Sequence, residues 1–253
     1  MSLSLIAKKI SKSRLNKIIE KSAISELSDH DPYHVQQAVA NLLPPTGAWK
    51  AGGTNKKTQE YFGTANPYYG PIEKSKVHVG SHLAVDTKSL AQPLKGELEI
   101  GFLIPPEVFT SKNKLADLMA GGDISAFVCV ELPWTIFEQP DTGLSHLIAD
   151  VCGANALLCG PEFPTRMLYG NNNIELSLQS GDETVTRGLI SDSIIPPLDV
   201  LVDFIAFIYK QEVEIIEPIY LATGGISECV SLNKNTKYSV VIDGTENFHF
   251  SLG

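Results

Sequence analysis

The sequence predicts a chain of alternating strands and helices, and three observations carry that reading. Runs with strand character recur at 95–104, 124–132, 174–178, 219–222 and 237–242, where alternation or β-branched content favours an extended chain. Helical apolar spacing appears between them, at 4–20, 33–43 and 197–209. Glycine and proline clusters such as Pro44-Pro45 and Gly52-Gly53 separate the two kinds of segment.

Composition narrows the class. At 253 residues and 43% hydrophobic content, the chain can bury one large core. The expected organisation is an N-terminal helical segment over 1–45 followed by the main domain over 46–253. A net charge of −9 argues against a nucleic-acid binder, whose contact face is basic. No apolar run is long enough to span a bilayer as a helix. The four cysteines, Cys129, Cys152, Cys159 and Cys229, form no C-x-x-C pair. No signal-peptide pattern is evident, so reduced thiols and a cytoplasmic location are expected.

Taken in order, the first helix places Leu3, Ile6 and Ile10 on one face, with Leu15, Ile18 and Ile19 continuing it. Lys8, Lys9, Lys12, Arg14 and Lys17 read as its solvated outer face. Asp31-Pro32 suits an N-cap followed by the first helical position. Val35, Val39 and Leu42 or Leu43 then form the stripe of a second helix, ended by Pro44-Pro45. Residues 47–55 read as a short strand running into a glycine turn, with Trp49 and Lys50 on opposite faces. Residues 61–71 read as an aromatic loop at a site rim. A short helix is expected at 115–119, ending at Gly121-Gly122. Residues 144–152 read as helical, with a strand at 156–159. The strand at 174–178 meets a turn near Gly181 and Asp182. The helix at 197–209 carries Val200, Leu201, Phe204, Ile205 and Ile208. The strand at 219–222 runs into Thr223-Gly-Gly225, and 237–242 closes the chain.

The chemistry concentrates in Lys95-Gly-Glu-Leu-Glu-Ile-Gly-Phe-Leu-Ile104. On a strand, Glu97 and Glu99 point to one face and Leu98 and Ile100 to the other. Adjacent carboxylates repel unless a cation lies between them. Glu131 closes a second apolar strand and is costly to bury alone. Glu97, Glu99 and Glu131 together can make an oxygen-only site for Mg²⁺ or Mn²⁺. The alternative is an edge strand with Glu97 and Glu99 in water.

With the upstream Gly47-Ala-Trp-Lys-Ala-Gly-Gly-Thr-Asn55, these residues resemble the 2-keto-4-pentenoate hydratase and 4-oxalocrotonate decarboxylase group of the fumarylacetoacetate hydrolase superfamily. The ordered match runs from about 34 to 242. The resemblance implies an α+β fold, a fumarylacetoacetate hydrolase-like mixed β roll with flanking helices. It implies Glu97, Glu99 and Glu131 as metal ligands, Lys50 and Asp150 as catalytic residues, and Gly52, Tyr68, Thr223 and Gly224 at the substrate. It also implies Mg²⁺ or Mn²⁺ as cofactor, a 2-oxo acid substrate and a homo-oligomer. The implied activity is a hydro-lyase or decarboxylase. An acylpyruvate-type C–C hydrolase and a catalytically altered binding homologue are the alternatives. The chain departs from the family pattern at Tyr68, where an acid is expected. It departs again at Leu132-Pro-Trp134, at Val151 and Gly153, and at Gly225 in place of a serine.

Overall fold

The computed structural model describes residues 1–110, 124–138, 143–170 and 173–253. The helix expected at 115–119 and its Gly121-Gly122 stop lie outside the described residues.

Among the described residues, thirteen strands form two sheets. Seven strands of the larger sheet run in the order β2 (Tyr68–Glu73), β1 (Thr46–Gly52), β10 (Ile219–Ala222), β5 (Lys95–Ile104), β6 (Ser125–Pro133), β7 (Ala154–Pro164), β3 (Val77–Val79). The short β11 (Val230–Ser231) also pairs with β5. The smaller sheet runs β4 (His82–Val85), β13 (Thr245–Leu252), β12 (Thr236–Ile242), β8 (Glu175–Ser180), β9 (Glu183–Leu189). The described helices are α1 (Leu3–Asn16), α2 (Pro32–Ala40), α3 (Lys56–Phe62), α4 (Leu144–Ala149) and α5 (Pro197–Lys210). Among the described residues, no helix is long and apolar enough to cross a membrane.

The period-2 pattern of the central strands divides the molecule into two cores. Leu98, Ile100 and Phe102 of β5 join Val128 and Val130 of β6. They pack with Phe248 and Phe250 of β13 and with Phe204 of α5. The opposite face of the large sheet carries Ala48, Phe127 and Cys129. It is covered by Ile6 and Ile10 of α1 and Val35 and Val39 of α2. The candidate site lies on this second face.

The helices show where one-dimensional patterning succeeds. Asp31 accepts from the backbone N–H groups of Tyr33 and His34, so α2 begins with the expected cap and Pro32 at its first position. It stops at Ala40, before the expected Leu43, and Leu42 is exposed. Helix α5 keeps its apolar stripe buried, also with proline in its first turn. Helix α1 corrects the sequence reading. It ends at Asn16, because Lys17 turns left-handed with φ 54°. Leu15, Ile18 and Ile19 are therefore exposed. Arg14, expected in solvent, is buried instead.

Residues 61–71 are not one loop. Asn55 caps α3 by accepting from Thr58 N–H, and β2 begins at Tyr68. Helix α3 buries none of its residues, so no apolar period marks it. Strand β2 carries Gly70 and Pro71, and it is an edge strand, where proline is tolerated. The strands β3, β4, β9, β11 and β13 carry no sequence expectation of their own. β9 follows the turn at Gly181 that the sequence does mark.

Candidate metal centre

Strands β5 and β6 build the site through their register. Glu97 lies directly opposite Glu131, and Glu99 lies opposite Cys129. Glu97 and Glu99 leave one face of β5, while Leu98 and Ile100 enter the core on the other. One carboxylate oxygen from each of Glu97, Glu99 and Glu131 lies within 4.8 Å of the other two. β5 is flanked by β10 and β6, which rules out the solvated edge strand. Glu99 and Glu131 have no exposed surface, and Glu97 is partly exposed.

Strand β1 supplies the cation. Trp49 packs into the inner core, so Lys50 points to the site face, where it is 6% exposed. Its Nζ lies 3.4 Å from Glu131 Oε2. Gly224 N–H donates to Glu99 Oε2 at 2.6 Å. Glu99 Oε1 and both oxygens of Glu131 have no hydrogen-bond partner among the described residues.

Three carboxylates face one ammonium, and the electrostatics follow. Burial raises Glu97 above the ordinary carboxylate range, with Lys50 opposing. Burial and the charges of Glu97 and Glu131 push Glu99 well up. Burial raises Glu131 to about 8 even with Lys50 beside it. For Lys50 burial works downward, but Glu131 and Glu97 overcome it and hold the ammonium above its usual value. Three converging carboxylates, two of them fully buried and each of those two with an oxygen left without a partner among the described residues, fit a hard divalent cation. The donor set contains no nitrogen or sulfur to favour a softer ion.

The other expected site residues are placed as follows. Tyr68 is 4% exposed, and burial raises its phenol while Lys50 opposes. It lies opposite Gly52 in the β1–β2 pairing, and a Cβ on Gly52 would overlap its ring. Gly52 is therefore explained by Tyr68 rather than by close approach of a ligand. Thr223 Oγ1 donates to the Ile100 carbonyl at 2.8 Å, so its hydroxyl is taken up in tying β10 to β5. Gly224, with φ 100°, aims its N–H at Glu99.

Asp150 is not brought to the carboxylates. Arg14 Nη1 donates to its Oδ1 at 2.8 Å, and Thr135 Oγ1 and Ile136 N donate to its Oδ2 at 2.7 and 2.8 Å. Arg14 also binds the Asp150 and Ala154 carbonyls and lies over the Trp134 ring at 5.7 Å. The pair thus anchors α1 to the turn after α4. There Val151, Cys152 and Gly153 all have positive φ, of 45°, 56° and 66°. Such a backbone is strained for Val151 and Cys152 and persists only where its surroundings hold it. His146 is likewise structural, accepting from Ile24 N–H.

Gly225 has a local reason visible only in three dimensions. A Cβ there would overlap the Glu97 carboxylate. That carboxylate is the mobile end of a side chain, so a serine would be tolerated by the fold but would displace one ligand. Gly225→Ser is expected to weaken Mn²⁺ binding at least about tenfold with an unchanged melting temperature in chelator. Calorimetric titration with Mn²⁺ checks this, and an unchanged affinity would show that Glu97 is not a ligand in this position.

Two cavities flank the centre. One, of about 450 Å³, is lined by Lys50, Phe62, Lys95, Trp134, Cys152 and Cys229, among others. The second, of about 460 Å³, is lined by Asn55, Phe62, Glu97, Gly225 and Cys229, among others. Phe62 and Cys229 border both. Among the described residues, no histidine lines either one. The sequence reading did not single out Phe62, Lys95, Cys152 or Cys229. A signal existed for Lys95, which is two residues before Glu97 and so shares its strand face.

No family model matches the chain, and no curated protein matches it. Solved structures do share its fold. The 4-oxalocrotonate decarboxylase from Pseudomonas putida G7, complexed with magnesium and adipate, superposes at TM-score 0.81 with 17% identity. The match covers 99% of this chain and 97% of that one. A fumarylacetoacetate hydrolase family protein from Yersinia pestis CO92 gives 0.54 at 13% identity, over 83% of this chain and 94% of that one. Fumarylpyruvate hydrolase from Pseudomonas aeruginosa, in complex with Mn²⁺ and pyruvate, gives 0.51 at 14% identity, over 83% and 91%. The α+β fold of this chain is the fold of these proteins.

Proposed function

We propose that this chain, with a fold shared by 4-oxalocrotonate decarboxylase, is a Mg²⁺- or Mn²⁺-dependent enzyme of 2-oxo acid chemistry. Its reaction is hydration of a 2-hydroxy-2,4-dienoate, a hydro-lyase step, or decarboxylation of a related 2-oxo diacid. The observation that carries the reading is the convergence of Glu97, Glu99 and Glu131 on one another beside Lys50, with Glu99 Oε1 and Glu131 Oε1 left without a partner among the described residues.

Glu97, Glu99 and Glu131 would hold the ion. When bound, it supplies Lewis-acid stabilisation of negative charge on the substrate's 2-oxo oxygen, a charge that both reactions develop. The remaining work belongs to the chain. Lys50, held protonated by its carboxylate neighbours, pairs with the substrate carboxylate and can deliver a proton. The Gly224 N–H fixes one oxygen of Glu99, leaving the other free to ligate. Trp134, Leu147 and Phe62 give the adjoining cavity apolar walls, which lower the local dielectric and strengthen the charge interactions. Tyr68 is a proton donor rather than a base, because burial raises its phenol. Tyr68 also supports the second reading, a homologue with altered or lost turnover, because no acid stands at its position. A C–C hydrolase is disfavoured by the lack of histidine around the described cavities.

The test is turnover of 2-hydroxypenta-2,4-dienoate and of a 2-oxo-3-enedioate, with product identified, in Mg²⁺, Mn²⁺ and chelator. Metal-dependent product that disappears in Glu97→Gln is the expected result. Metal binding by the wild type without turnover of either compound favours the altered homologue. Absence of metal binding sinks the enzymatic reading.

A further inference from the structure

Among its described lining residues, the cavity that Lys50 enters carries two positive charges and no negative one. Lys50 and Lys95 are the charged groups among its described lining residues, and the rest of the wall is mostly apolar, at Pro93, Pro133, Trp134 and Leu147. This is the reverse of the chain as a whole, with its net charge of −9. The two lysines are not equivalent. Lys50 is compensated by Glu131 at 3.4 Å, while Lys95 makes no ion pair among the described residues. A cleft with low-dielectric walls and charge of one sign concentrates its field on whatever enters.

Position adds to charge. Lys95 opens β5 two residues before Glu97, so its side chain leaves the strand face that bears the carboxylates. The two Cα atoms are separated by about 7 Å along the strand. Cys229 lies between the two regions, bordering both cavities and near enough to Lys95 to feel its charge. A substrate held at the glutamates by its 2-oxo acid end and lying along the cavity would bring its far end to Lys95.

We propose that Lys95 is a specificity-determining residue that binds a second, distal carboxylate, making 2-oxo dicarboxylic acids the preferred substrate class over 2-oxo monocarboxylic acids. This rests on the reading that Glu97, Glu99 and Glu131 hold a metal that receives the 2-oxo acid end. A charged hydrogen bond from the ammonium to the distal carboxylate supplies the discrimination. An apolar tail in the same place would leave that ammonium facing hydrocarbon.

The experiment is calorimetric titration of the Mg²⁺-loaded full chain with 2-oxoadipate and with 2-oxohexanoate. Both carry the same 2-oxo acid end and differ at the far end. The wild type is expected to bind 2-oxoadipate about tenfold more tightly, a preference that shrinks as salt is raised. Lys95→Met should abolish the preference by weakening 2-oxoadipate alone, and Lys95→Arg should retain most of it. Lys95 is exposed at the start of its strand, and 2-oxohexanoate binding reports that the variant is folded. Equal wild-type affinities overturn the assignment, as does a preference that survives in Lys95→Met. Failure to bind either compound is a different result, because it removes the metal-centred reading on which this one depends.

Discussion

Arg14→Met is expected to lower the free energy of unfolding by about 3–5 kcal/mol, the usual cost of stripping one partner from a buried ion pair. Arg14 and Asp150 have side chains 5% and 0% exposed, so water cannot replace what is lost. Burial already raises the Asp150 carboxyl and Arg14 opposes that rise. Without the guanidinium, the carboxylate would have to protonate or drag the turn open. The damage should spread to the strained Val151-Cys152-Gly153 segment and to the cavity wall at Trp134, both of which Arg14 touches through Asp150, Ala154 and the indole ring. For a chain of this size, the melting temperature should fall by about 10 °C. Urea titration and a thermal scan measure both quantities. Adding Asp150→Asn should recover part of the loss, because the amide keeps hydrogen bonds without a buried charge. A single-mutant loss below about 1 kcal/mol would show that the pair does not anchor α1.

Glu131→Gln is expected to separate stability from function. Metal affinity should fall by more than about 100-fold, since loss of an outer-shell partner alone costs up to that much. The metal-free protein should gain stability at alkaline pH. Burial holds Glu131 near 8 in the fold against an ordinary value of 4.5. The folded state therefore binds the proton more tightly than the unfolded chain. The contribution is fully present below about 4.5 and is lost as pH rises through about 8. The melting temperature of wild type in chelator should decline across that window, and Glu131→Gln should flatten the decline. Saturating Mn²⁺ should restore the wild type at pH 8, by about 2.7 kcal/mol at 100 times the dissociation constant. It should leave Glu131→Gln unmoved. A wild-type profile in chelator that is flat from pH 5 to 8 would contradict the crowding of the three carboxylates.

Strand chemistry was the most legible part of the chain. The i, i+2 spacing of Glu97 and Glu99 and the apolar run before Glu131 carry a local rule that does not depend on the partner strands. The stripe of α5 and the Asp31-Pro32 start of α2 are equally local. The buried role of Arg14 also left a trace, since Ile6, Ile10 and Arg14 fall at successive i+4 positions on one face. Amino-acid type pulled the reading the other way, because an arginine among lysines is assigned to water.

Sequence by itself determined the alternation of strands and helices, the shared face of Glu97 and Glu99, and the opposition of Trp49 and Lys50 across β1, while the metal-ligand role of the carboxylates was what the resemblance implied. The first three follow from side-chain period. Tertiary structure decided what those residues meet. Only the β5–β6 register sets Glu97 opposite Glu131. Only the fold pairs the Asp150 carboxylate with Arg14. Only the closeness of the Glu97 carboxylate to the turn after β10 explains why Gly225 has no side chain. These are contacts between segments distant in the chain. They are fixed by pairing and packing that the local pattern of either segment does not contain.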